Sequence, residues 1–395
     1  MAEPPAQRIR RTRYALYYLQ ERLDPLALLR GEPPPRGGAA EVVALALLTG
    51  RRECIEPAQL QLLLSVPSEH WIPLDQHERD AAAQLLELGL LLGDGDGPQA
   101  TLRCRDEALT AGQWNLYAAA YHFMTQWHDV DLRGDMDRLE LGQESRAVAR
   151  EFVALHGAPP APFPEPRGGP TVELPPAAGD GALYEALAAR RTTRAFDPGR
   201  RMSAQDLATV LRWVFGCRGQ ARNIADIVCI KRTSPSGGAL HPVEAYPLVT
   251  GVDGVAPGIY HYDGRRHVLE LLSALDAGEG RELAARFMAG QDYFGDAHVT
   301  IVLTARFYRN HWKYRRHQKA YAGILMDAAH LSQTLYLVAT QLGLGAFVTL
   351  AINGRDIEER LGLDGVEEGV VAVCGCGMRA PGVSPLELSF TSDAA

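Results

Sequence analysis

Four stretches in the back half of the chain carry residue types that could hold a flat, anionic ligand. The first is Arg190-Arg191-Thr192-Thr193-Arg194, three guanidinium groups and two hydroxyls in five residues. Guanidinium forks give charge-assisted bonds to a phosphate, and hydroxyls add donors. Taken alone, the same cluster also reads as a solvated basic face. The second is Arg232-Thr233-Ser234-Pro235-Ser236-Gly237-Gly238-Ala239-Leu240-His241-Pro242. Glycines there let the backbone approach a flat ligand closely, since no Cβ intervenes; an ordinary turn before a strand is the plainer reading. The third runs from Ala297 to Met326, with six Lys/Arg and no acid, in a chain of net charge −8. Such a block is a solvated loop, or it lines a site that handles anions or steadies a reduced, negatively charged cofactor. The fourth is the glycine-bearing close of the chain, Leu342-Gly343-Leu344-Gly345-Ala346-Phe347 and then Gly375-Cys376-Gly377-Met378-Arg379.

Regular elements must position these stretches. Gly181 to Ala189 predicts a helix that runs into the arginines. Val243 to Thr250 predicts a strand, and Gly258–Tyr262 with His267–Leu271 predicts a hairpin around Asp263-Gly264. Val299 to Thr304 reads as a buried strand and Val370 to Val373 as another. Lys319 to Leu342 reads as a long helix, apolar on most faces and so buried all round, in a core or a subunit interface. Ala328 to Gly354 lacks Asp, Glu, Lys and Arg, yet His330, Gln333, Gln341, Asn353 and two glycines mark it as helix and strand, not a membrane span. The glycines do not open a helix after a strand as Gly-x-Gly-x-x-Gly, so a nicotinamide-type dinucleotide site is not indicated. No Walker A, His-Glu-x-x-His or nucleophile-elbow pattern occurs.

The chain has 395 residues, 46% hydrophobic and 22% charged. At about 150 residues per domain this allows two to three globular domains and excludes global disorder. Gly157 to Gly181 holds eight of the 25 prolines. Proline fixes φ and removes donors, so this segment is an extended linker between parts 1–156 and 182–395. In the first part, Arg13–Leu19 is β-prone, and Val42–Leu48, Gln59–Leu64 and a helix opened by Asp75 and Glu78 are three short helices. Gly93 to Gly97 is a turn into a strand at Ala100–Arg103, completing a winged-helix layout. Its recognition helix carries Glu78, Asp80 and Glu87 against Arg79, a poor match to phosphate, so no nucleic-acid partner is expected. His122 and His128, six apart on one helix, share no face for a metal. The six cysteines lack Cys-x-x-Cys spacing and read as buried or inert thiols in a reducing, cytoplasmic compartment, and no secretory h-region is present.

In their order, the motifs from Glu173 to Arg379 resemble the nitroreductase-like flavoproteins, and more narrowly the SagB-type dehydrogenases, the azoline oxidases of ribosomal peptide maturation. The resemblance implies an α+β fold, a mixed and mainly antiparallel sheet flanked by helices. It implies FMN, held by Arg190, Arg191, Thr192 and Arg194, by Pro235, Ser236, Gly237 and Gly238, by Gln333, by Gly345 and Ala346, with Phe347 nearby, and by Arg379. Lys313-Tyr314 occupies the place of the pair that handles protons at the substrate, and Lys313 suits that task where burial and neighbouring cations disfavour its ammonium form. The family is a homodimer with FMN at the interface. In the front part, Leu45–Gly50, Leu60–Val66 and Ala81–Leu91 resemble a PqqD-like peptide-recognition domain. The expected partners are then a precursor peptide, leader plus core, and a cyclodehydratase. The loop after Gly345 and the Met378 before Arg379 depart from common nitroreductase patterns. Other readings are an NAD(P)H-dependent reductase of nitro compounds or quinones, a non-catalytic peptide-binding subunit, and, more distantly, a winged-helix regulator.

Overall fold

A computed structural model describes residues 8–21, 40–133, 150–151, 153–158, 160–165, 167–177, 179–222 and 226–382. Pro159 and Pro166 of the proline-rich segment lie outside the described residues, as does 134–149 of the expected front part. The chain divides into two compact units that do not follow a single cut at the prolines. One holds the described residues of Met1–Gln126 with Arg306–Gly323 and Asp364–Glu368; the other holds Trp127–Ala305, Ile324–Leu363 and Gly369–Ala395.

The first unit opens with strands β1 (Arg8–Arg11), β2 (Ala15–Glu21), β3 (Ala40–Ala46) and β4 (Arg51–Ile55). Val42–Leu48 is therefore not a helix: β3 pairs antiparallel with β2 on one side and β4 on the other. Ladder bonds on both edges and the β-branched Val42 and Val43 outweigh the helical look of its alanines and leucines. Helix α1 (Pro57–Ser65) follows, closed by a capping box between Glu56 and Gln59. Then come β5 (Ile72–Pro73), a short 3-10 turn at Gln76–Glu78 and α2 (Arg79–Leu88). Asp75 makes no side-chain cap, so the capping box lies at Glu56 rather than here. Gly89 ends α2 in the left-handed conformation, which glycine adopts without a Cβ penalty. Strand β6 (Leu91–Gly93) joins β5 and β1 in a second sheet. Ala100–Arg103 is helical, not a wing strand: α3 (Pro98–Ala111) starts at Pro98, whose fixed φ suits a first turn. Asn115 caps α4 (Leu116–Met124), which holds His122 but ends before His128.

In the second unit, α5 (Ala182–Ala189) and α6 (Ala204–Val214) precede a two-stranded ribbon, β7 (Gly219–Arg222) and β8 (Val228–Lys231). The main sheet is built from β9 (Val243–Val249), β10 (Gly258–Asp263), β11 (Val268–Ala274) and β12 (Val299–Arg306), with α7 (Ala277–Phe287) between the last two. After β12 come α8 (Phe307–Tyr314) and the long helix α9 (Ala320–Gln341). Strand β13 (Gly345–Thr349), helix α10 (Gly354–Leu361) and strand β14 (Glu368–Gly377) close the described chain. The sheet order is β11-β10-β9-β12-β14-β13. The pairs β10–β11, β9–β10, β9–β12 and β13–β14 are antiparallel. Phe294 stacks on Phe347 at 4.0 Å in its core, which also contains Phe196, Phe287, Ile357 and Val373. Helix α9 is not buried on every face. Ala322, Met326, Ala329 and Gln333 are exposed, a stripe at i, i+4, i+7 and i+11 that leaves one apolar side of the helix open. Among the described residues no helix is long and apolar enough to cross a membrane.

Helix α8 folds with the first unit, although the chain reaches it from β12. Trp114, fully buried, donates its indole N–H to the Val366 carbonyl at 3.1 Å. Its ring packs on Phe307 at 4.6 Å and on His311 at 5.0 Å. His122 spans the Tyr321 hydroxyl (2.9 Å) and the Gly365 carbonyl (3.1 Å). His311 meets the Gly112 carbonyl at 3.2 Å. The residues after α8 are anchored too: Arg316 N–H donates to the Gln113 carbonyl at 3.1 Å, and Asn115 Nδ2 donates to the Arg316 carbonyl at 2.9 Å.

Candidate functional site

Segment 192–197 runs beside the ends of β13 and β14 and draws the first and fourth of the sequence stretches together. Thr193 N–H donates to the Ala346 carbonyl at 2.9 Å, and Thr192 bridges Ala346 in parallel. Phe196 bridges Arg379, Asp197 N–H donates to the Met378 carbonyl at 3.0 Å, and Ala380 N–H donates to the Ala195 carbonyl at 3.0 Å. Gly345 pairs with Gly377 across the two strands. The arginine cluster, the Gly345-Ala346 segment and the Gly375–Arg379 segment are therefore neighbours.

Glycine allows two close approaches here, Gly345 to segment 192–197 and Gly377 to His298. A Cβ on Gly345 would lie 2.6 Å from Thr193 Cγ2, and one on Gly377 would lie 2.5 Å from His298 Nδ1. Thr193 is 1% exposed and has no room to yield. Gly345→Ala is expected to push segment 192–193 off β13 and lower stability by about 1–3 kcal/mol. A melting curve that coincides with wild type would refute this.

Helix α9 ties in the remaining ligand-type segment. Ser234 Oγ lies 2.6 Å from Thr334 Oγ1 and donates to the His330 carbonyl at 3.3 Å. Ser236 Oγ donates to Asp327 Oδ2 at 2.5 Å, and Gly237 N–H donates to Asp327 Oδ1 at 3.3 Å. Two to three turns beyond Asp327, Tyr336 meets the Thr192 hydroxyl at 3.0 Å, and the Arg190 guanidinium lies over its ring at 5.3 Å. A single helix thus carries contacts to both the serine-glycine turn and the arginine cluster. Arg194 hydrogen-bonds the Tyr293 hydroxyl.

Burial sets the electrostatics of this group. It pushes the Tyr336 phenol up, against the lowering effect of the Thr192 hydrogen bond. It raises the Asp327 carboxyl above the ordinary carboxylate range. It pushes Arg232 down, with the guanidinium donating to the Val243 carbonyl at 2.7 Å. Thr193 Oγ1, Arg232 Nε and His330 Nδ1 are buried without a hydrogen-bond partner. Orphaned polar atoms of this kind are uncommon in native folds, and these three lie on the three segments just described. They suit a ligand rich in donors and acceptors.

The expected residues are not all placed alike. Arg190, Thr192, Arg194, Ser236 and Arg379 are half-buried, while Gly345 and Ala346 are buried. Arg191, Pro235, Gly237 and Gly238 are exposed. Gln333 lies on the open stripe of α9 and is exposed. Lys313 and Tyr314 end α8 and fold with the first unit, whereas the residues above belong to the second. Lys313 is exposed, with Nζ 5.7 Å from the centre of the Tyr314 ring. The burial expected for Lys313 is therefore absent, because α8 turns Phe307, Asn310 and His311 inward instead. His128 pairs with Asp356 at 3.2 Å and lies in a different unit from His122. The cysteines are free; Cys374 and Cys376 are buried, but Cys54 and Cys104 are exposed, so burial does not describe all six. Sequence reasoning named Thr193 only as a hydroxyl of the arginine cluster and missed Tyr336 and Asp327. The last had a signal, since it is the lone acid of a long helix that carries no lysine or arginine.

Residues 187–378 match the profile of the Nitroreductase family. Over 130 residues the chain is 33% identical to MJ1384 of Methanocaldococcus jannaschii, a protein named as a nitroreductase; the match covers 33% of this chain and 63% of that one. Over 136 residues it is 28% identical to the trifolitoxin-processing protein TfxB of Rhizobium leguminosarum bv. trifolii, covering 34% of this chain and 36% of the relative. The matched parts thus span less than two thirds of either relative. Among solved structures, a chain of the E. coli microcin synthetase McbBCD complex with truncated pro-MccB17 bound is similar at a TM-score of 0.48 and 18% identity, covering 69% of this chain and 94% of that one. A nitroreductase-type protein from Anabaena variabilis is similar at a TM-score of 0.42 and 24% identity, over 50% of this chain and 38% of that one. The antiparallel sheet with its flanking helices and the profile match over the same residues make 187–378 a nitroreductase-fold domain, accompanied by a smaller unit of sheets and helices.

Proposed function

We propose that this chain is an FMN-dependent oxidoreductase that dehydrogenates azoline rings to azoles in a ribosomally made precursor peptide. The observation that carries the cofactor is the convergence of Arg190–Arg194, Gly345–Ala346 and Gly377–Arg379, with unpartnered Thr193 Oγ1 among them. The peptide substrate is supported by the likeness to the trifolitoxin-processing protein. Arg190, Arg194 and Arg379 are assigned to the phosphate, Thr192 and Thr193 to hydroxyl contacts, and Ser236–Gly238 with Gly345–Ala346 to the ring. When bound, FMN supplies the two-electron acceptor for a hydride. Aromatising an azoline also releases a proton, and that proton is assigned to Lys313, with Tyr314 beside it as hydrogen-bond donor or relay.

The open stripe of α9 at Ala322, Met326, Ala329 and Gln333 supports a homodimer. The first unit is assigned to leader recognition, a cyclodehydratase to the preceding step, and the free thiols to a reducing cytoplasm. A second reading, an NAD(P)H-dependent reductase of nitro compounds or quinones, is favoured by the likeness to MJ1384.

The test is direct. Purified protein is expected to be yellow and to remove 2 Da from an azoline peptide when oxygen or another acceptor is present. Rapid bleaching by NAD(P)H with turnover of a nitroarene, and no change in peptide mass, would favour the second reading. Protein that stays colourless when FMN is supplied would end both.

A further inference from the structure

The deepest titratable group of the candidate site is one that neither the arginines nor the glycines explain. Asp327 is 5% exposed on α9. Among the described residues no lysine, arginine or histidine forms an ion pair with it. His330 and Arg232 favour its charge from beyond ion-pair distance, and burying a carboxylate without a direct ion pair is expensive unless its oxygens are well satisfied. Both are: one accepts from the Ser236 hydroxyl and the other from Gly237 N–H. Ser236 Oγ in turn accepts from His241 N–H at 2.9 Å, closing the turn across its base.

The turn so closed is strained. Gly238 has φ 65°, Ala239 φ 55° and His241 φ 47°. Two non-glycine residues in the left-handed region within three positions persist only where their surroundings hold them there. The upstream end is pinned separately, by Ser234 on Thr334 and the His330 carbonyl. The downstream half is held in turn through Ser236 and Asp327.

We propose that Asp327 is a positioning residue for the flavin: acting through the Ser236 hydroxyl, it holds the Ser236–His241 turn in the left-handed shape that presents backbone to the ring. This rests on the FMN reading above. Asp327 itself is not assigned a contact with the cofactor. Its charge matters only through the bonds it accepts.

The experiment is FMN titration, followed by flavin fluorescence, of wild type, Ser236→Ala, Asp327→Asn and the double variant, with melting curves for each. Asp327→Asn keeps one acceptor but turns an amide toward a donor, and is expected to weaken FMN about tenfold, with Ser236→Ala similar. Because both act through one linkage, the double variant is expected to bind no more weakly than the worse single variant. Asp327→Glu, which keeps the charge but displaces the oxygens, is expected to weaken FMN as well. Independent losses that multiply to about a hundredfold in the double variant would overturn the proposal. So would wild-type or tighter binding by Asp327→Asn, the second of which would mean that its charge merely repels the phosphate. Wild-type protein that takes up no FMN would instead refute the cofactor reading on which the proposal stands.

Discussion

Lys313→Ala is expected to keep its flavin and lose turnover of an azoline peptide by about 100- to 10,000-fold, the range for removing a general acid or base. The side chain is exposed at the end of α8 and its contact is with the neighbouring Tyr314 ring. Truncation therefore leaves no cavity, and the melting temperature should stay within a degree or two of wild type. Tyr314→Phe keeps the ring beneath the ammonium but removes the hydroxyl, and should fall between the two. The deciding measurement is the peptide mass shift per unit time at matched flavin content. Undiminished turnover by Lys313→Ala would take the proton away from this residue and leave the flavin assignment standing.

The second large effect is on stability. Burial pushes His122 down to about 3 and His311 down to about 4. An unfolded histidine titrates near 6.5. Below that pH the unfolded chain binds protons that the folded first unit does not, so stability is full above about 6.5 and drains as pH falls toward the folded values. At 1.36 kcal/mol per pH unit and ring, each histidine is expected to cost about 2 kcal/mol by pH 5. Few carboxylates titrate that high, which isolates the effect. Thermal unfolding followed by the fluorescence of buried Trp114 should move to lower temperature between pH 7.5 and 5. His122→Phe should remove about half of that slope. A melting temperature flat over this range would mean that the two rings open to water far more readily than their packing indicates.

Much of the second unit was legible because its signals are local. The hairpin around Asp263-Gly264, the strand at Val299 and the long helix from Ala320 follow from turn chemistry and periodicity. The first unit was less so. Val42–Leu48 has helix-compatible residues, and only its two partner strands decide its state. At the site, residue type located the arginines and glycines, but Thr193 and Tyr336 matter through contacts with Gly345 and Thr192, between residues far apart in the chain. Gln333 shows the same limit from the other side. Its spacing along α9 puts it on the exposed stripe, a fact fixed by which sides of the helix the folded chain covers.

The return of α8 to the first unit bears on how such a protein can be taken apart. A fragment beginning after the proline-rich segment would retain Phe307, His311 and Tyr321 but lack Trp114 and His122, leaving several aromatic rings facing water. The complementary fragment would keep Trp114 without Val366 to receive its indole proton. Neither half is a self-sufficient cassette, so recombination that shuffled one without the other would be penalised at the level of folding before any question of substrate arose.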